Sequence, residues 1–194
     1  MANHFQENWN QSRRILSGGF PYSEGIFEDI NKVIASQFYW NSDRKAKDAV
    51  KEYIAYEFSP DVVEEVAEAI EILESNHQRG PDASGYGNYR IVKGEDGLEH
   101  CVFKLPGPDA GAEQCLAMLR TADGKLTDAV RQCWRWRILL LRGLIDNELY
   151  RTDGVPTTVC EEAFDELTRI YHAQGAESSV CPPGRESIRR LSRK

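Results

Sequence analysis

Between residues 23 and 77, apolar side chains return every three to four positions in three successive stripes separated by short polar breaks. That recurrence puts them on one side of an α-helix and conflicts with the two-residue alternation of a half-buried strand. The first stripe is Ile26, Phe27, Ile30, Val33, Ile34 and Phe38, with Ser23 placed as its N-cap. Asn41-Ser42-Asp43 breaks it and can cap a second helix with Ala46, Ala49, Val50, Tyr53, Ile54 and Phe58 inward. Ser59-Pro60-Asp61 then supplies a hydroxyl cap, a proline at the first helical position and an acid at the positive end of the dipole. Val62, Val63, Val66, Ala69, Ile70 and Leu73 form the third face. Short links of this kind predict helices packed antiparallel or at a steep angle.

The pattern changes over 78–108. Gln78–Asn88 is punctuated by glycine and proline, and the following segments 89–93 and 98–105, joined through Gly94-Glu-Asp-Gly97, read as a small hairpin. The alternative is that the whole stretch is irregular. Helical periodicity returns from Asp109, a candidate cap for Ala112, Cys115, Leu116 and Leu119. The span 127–151 reads as the longest helix, apolar on more than one face and therefore central. Thr158-Val-Cys-Glu161 has capping-box spacing before Cys160, Ala163, Phe164, Leu167, Ile170 and Tyr171, and Gly175 is placed to end that helix.

The expected architecture is mainly α: an orthogonal or antiparallel helical bundle of about six to seven helices with one small β-hairpin excursion. A single helical domain over 1–177 would hold a three-helix unit (22–77), the loop or hairpin (78–108) and the C-terminal helices (109–175). The basic segment 178–194 is expected to be a flexible tail.

A net charge of −7 over 194 residues argues against nucleic acid as the partner. No apolar run reaches the length of a membrane span, and the N-terminus lacks a secretory layout, so the chain as written reads as cytoplasmic unless it was cut from a longer exported protein. The five cysteines are odd in number and have no Cys-x-x-Cys spacing; Cys115, Cys133 and Cys160 fall on apolar helix faces. The four histidines share no ligand spacing, and no dinucleotide, Walker or nucleophile-elbow motif is present. No metal site or cofactor is expected.

Two groups of residues are candidates for a site. Glu24 lies in the turn Phe20–Gly25, with Glu28 one helical turn later and Asp29 beside it. Paired carboxylates can serve as acid and base at a glycosidic bond, whereas acids near a helix N-terminus also simply stabilise its dipole. Tyr22, Phe38, Tyr39 and Trp40 could form a flat platform for a sugar ring, or fill a core. Trp134, Trp136 and Arg137 invite a cation–π reading, though a packed central helix explains both tryptophans as well.

Tyr22-Ser-Glu-Gly-Ile-Phe-Glu-Asp-Ile-Asn-Lys32, Gln37-Phe-Tyr-Trp40, Glu52–Ser59 and Leu141–Leu149 together resemble the C-terminal helical region of large, mostly uncharacterised bacterial proteins similar to glycoside hydrolases. The resemblance implies that the Tyr22–Gly25 turn lies near the end of a (β/α)-barrel, with Tyr22, Glu24 and Trp40 facing a carbohydrate. A barrel needs eight strand–helix units over about 250 residues, and nothing here alternates in that way. The chain would then be an accessory part, not catalytic alone, with a carbohydrate or a barrel-containing protein as partner. A helical protein–protein interaction module, self-associating or not, is the alternative. A helical regulator holding a small molecule beneath Trp134 and Trp136 is a third.

Overall fold

The structure, a computed structural model, describes residues 2–19, 29–76, 89–93, 97, 99–103 and 111–172. Among these the protein is mainly helical, and the chain divides into two compact units, Met1–Ala67 and Glu68–Lys194.

The N-terminal unit contains α1 (Ala2–Ser12), α2 (Asp29–Trp40) and α3 (Ala46–Glu57), then a 3₁₀ turn (Pro60–Val62) leading into α4 (Val63–Asn76), within which the boundary between the units falls. The second stripe appears as read, Ala46, Ala49, Val50, Tyr53, Ile54 and Phe58 of α3 and its C-cap being buried; of the third, Val62, Val66, Ala69, Ile70 and Leu73 are buried and Val63 only half-buried. Ser59 is the cap expected, its hydroxyl accepting the Asp61 N–H at 3.1 Å with Pro60 at the next position.

Helix α1 was not foreshadowed. It is polar apart from Ala2, Phe5 and Trp9, spaced on one face, and it is held by Trp9. The indole stacks on Phe38 (ring centroids 5.2 Å apart, planes 8° from parallel), meets the Tyr39 ring edge-on at 5.5 Å, and donates its Nε1–H to the Ser42 carbonyl at 2.9 Å. Asn41-Ser42-Asp43 does end α2 but does not cap α3. The N-cap is Lys45, which makes no side-chain cap bond; the Ala46 N–H instead donates to Gln6 Oε1 at 2.8 Å. The Asn41 side chain is occupied within its own turn, accepting the Asp43 N–H, while Asp43 pairs with Arg13 at 2.8 Å.

The C-terminal unit contains β1 (Tyr89–Lys93), β2 (Glu99–Phe103), α5 (Ala112–Asp123), α6 (Asp128–Gln132), α7 (Trp134–Arg151) and α8 (Thr158–Tyr171). β1 and β2 pair antiparallel, Tyr89 opposite Phe103 and Lys93 opposite Glu99. Helix α7 packs against α5, α6 and α8, the central position its apolar pattern requires.

In the C-terminal unit three helix starts differ from the sequence reading. The segment 127–151 is two helices, since Cys133 is extended (φ −67°, ψ 136°) between α6 and α7. None of the five residues of α6 is buried, whereas α7 is anchored by Trp136 and Arg137. The cap of α5 is Gly111, at a left-handed φ of 63°; Asp109 lies outside the described residues. The cap of α8 is Thr157, one residue before the expected Thr158. Its hydroxyl accepts the Cys160 N–H at 3.2 Å and donates to Glu148 Oε2 of α7 at 2.8 Å. A Thr158–Glu161 box would forgo that second bond. Gly175 and the segment 178–194 lie outside the described residues.

Gly143 sets how closely α5 and α7 approach. A Cβ there would stand 2.6 Å from Leu119 Cδ1, and Leu119 is fully buried. Overpacking a core costs about 1–3 kcal/mol, against a gain of ~1 kcal/mol for removing glycine from a helix interior. Gly143→Ala is therefore expected to lower the unfolding free energy by about 1 kcal/mol in urea titrations, and to cost nothing in a Leu119→Ala background, where the space is open. Additive effects of the two substitutions would contradict this packing.

Candidate functional site

In the N-terminal unit the outer face of α2 forms an open groove of about 580 Å³ lined by Lys32, Val33, Ser36, Gln37 and Trp40. These positions follow the i, i+1, i+4, i+5, i+8 pattern of one helical face. The opposite face, with Ile34 and Phe38, is buried. The groove thus offers an indole plane, an amide, a hydroxyl and an ammonium along roughly 12 Å of helix. Trp40, the last residue of α2, is 90% exposed.

Of the residues singled out from the sequence, Trp40 lies in this groove; Tyr22 and Glu24 fall outside the described residues, as does Glu28. The aromatic run does not form one platform. Phe38 is 2% exposed and stacked on Trp9, and Tyr39 is 38% exposed with its ring against Trp9, so Trp40 alone of the three projects fully. The reason is helical geometry: consecutive residues are about 100° apart on the helix and cannot share a plane. Gly18-Gly19 has a packing role at its second member, where any Cβ would overlap the Tyr39 ring. Asp29 sits in the first turn of α2, where its charge favours the dipole. Ser36 and Gln37 were missed by the sequence reading; their signal was a shared face with Trp40.

The C-terminal unit buries a second set of polar groups. Asp146 of α7 is buried, accepts from Arg142 at 2.9 Å, and is 3.4 Å from the Asn76 amide nitrogen. Burial, reinforced by the negative charge of Asp146, pushes the Cys115 thiol up to about 12 and raises the Tyr150 hydroxyl. Cys115 donates weakly to the Ala69 carbonyl at 3.5 Å. Cys115, Cys133 and Cys160 are all free and buried, behaving as small apolar side chains.

At the α7–α8 junction Glu148 accepts from Arg151 and Thr157, both at 2.8 Å, which holds its carboxyl below its ordinary range; the Arg151 hydrogen bond is the larger cause. The junction itself turns through Asp153 and Gly154, both left-handed, with the Gly154 N–H closing on the Leu149 carbonyl at 2.7 Å.

The cation–π partner differs from the one suggested by sequence. The Arg135 guanidinium lies 4.5 Å from the Trp134 ring centre, while Arg137 makes a two-pronged pair with Glu166 of α8 at 2.6 and 2.7 Å. Trp136 is fully buried and donates to Asp123 at 2.7 Å. His172 caps the end of α8, His100 lies in β2, and His77 is outside the described residues. Among the described residues no group of three or more His, Cys, Asp or Glu could hold a metal ion, and no helix is long and apolar enough to cross a membrane.

No family model matches this chain, and no curated protein or solved structure matches it.

Two measurements check these electrostatics. At pH 8 in native conditions, alkylation with iodoacetamide should leave Cys115, Cys133 and Cys160 largely unmodified by peptide mass mapping, with full modification in denaturant. Rapid native labelling of Cys115 would contradict its burial. Because the Glu148 carboxyl titrates lower folded than unfolded, its contribution is complete above the unfolded value and is lost as pH falls through the folded one. The stability gap between wild type and Glu148→Gln should be constant near neutrality and close in acid; a gap widening toward low pH would refute the assignment.

Proposed function

We propose that the protein is a helical accessory part of a carbohydrate-active protein, binding a sugar on the outer face of α2 while bond-breaking chemistry resides in a barrel-containing partner. The observation that carries this reading is Trp40, 90% exposed at one end of a groove that also presents Lys32, Ser36 and Gln37 beside the apolar Val33. An apolar-faced sugar ring covers an indole, and its hydroxyls need donors and acceptors beside it, which Ser36, Gln37 and Lys32 supply. Single exposed apolar residues are common on proteins, and it is Trp40 together with its neighbours that suits a sugar. The resemblance of residues 22–40 to glycoside-hydrolase-like proteins is in keeping with this reading, under which Tyr22 and Glu24 would serve the same ligand.

Titration with glucose, xylose, mannose and N-acetylglucosamine and their β-1,4-linked oligomers is expected to give binding heat and a blue shift of tryptophan emission for at least one series. Trp40→Ala should abolish both while leaving the thermal midpoint within about 1–2 °C of wild type, because an exposed side chain contributes little to folding. Silence across the panel, or unchanged binding by Trp40→Ala, would overturn the reading.

A second reading, a protein-interaction module, is favoured by other exposed side chains of the N-terminal unit: Ile15 at 83% and Tyr56 at 80%. It expects concentration-dependent self-association in sedimentation velocity, reduced by Ile15→Ser or Tyr56→Ser. A strict monomer at all concentrations would exclude the self-associating form.

A further inference from the structure

No further inference is drawn: the strongest candidate, the buried polar cluster of the C-terminal unit where Asn76 and Arg142 meet Asp146 and where Asn76 Oδ1 and Tyr150 Oη have no hydrogen-bond partner among the described residues, carries nothing because nothing in the structure shows a cavity beside it or a ligand that would fill one.

Discussion

The C-terminal unit depends on the burial of α7 against α5, α6 and α8 at once. Trp136, Leu141, Ile145 and Leu149 leave water along its length, and Trp136 alone accounts for about 3–5 kcal/mol by the cost of truncating such a residue. A helix covered on several sides cannot turn all of its polar groups outward. Asp146 and Glu148 are consequently buried, and each is kept tolerable by a cation from its own helix: Arg142 one turn before Asp146, Arg151 near the end beyond Glu148. Removing either partner would leave a buried charge exposed to the full desolvation penalty, a larger effect than the pair itself contributes. Thr157 ties this arrangement to the start of α8, so one hydroxyl both caps a helix and satisfies the carboxylate of its neighbour.

The N-terminal unit uses a different device. Its first helix has little apolar surface, and one indole anchors it through stacking on Phe38, edge contact with Tyr39 and a hydrogen bond to Ser42, beside the polar ties of Gln6 and Arg13. That same attachment consumes two of the aromatics which, in sequence, stood beside Trp40. The groove on α2 is what remains once Phe38 and Tyr39 have been turned toward Trp9.

How much of this was legible depended on whether a feature was local. The stripes of α3, α4, α5 and α8 were readable because periodic apolar residues need no knowledge of the partner they meet, apart from Tyr171 at the end of α8, which was placed inward and is 67% exposed. The Ser59-Pro60-Asp61 start was readable for the same reason, since all its parts lie within three residues. The caps that failed were decided at a distance. Lys45 stands at the start of α3 because Gln6 satisfies the next N–H, and Thr157 replaces Thr158 because Glu148 offers it a second bond. The break at Cys133 has no proline or glycine to announce it; it follows from contacts of Trp136 and Arg137 on one side and the absence of burial in α6 on the other. Helix α1 was missed because its three apolar residues in eleven, though spaced on one face, are too few among polar neighbours to stand out as a stripe. At the site, Trp40 was legible as an aromatic next to a helix break, whereas Ser36 and Gln37 required knowing which face of α2 the core had claimed.

The hydrogen bond from Ala46 to Gln6 joins the first turn of α3 to a side chain forty positions earlier in the chain. The third helix therefore cannot complete its own beginning until a remote segment has docked, which raises the entropic threshold for that turn relative to a locally capped one. Any cut that removes residues 2–12 would strip the cover from Phe38 and Tyr39 of α2 and fray α3 at its start, so the integrity of both helices is wired to a stretch remote from them in sequence.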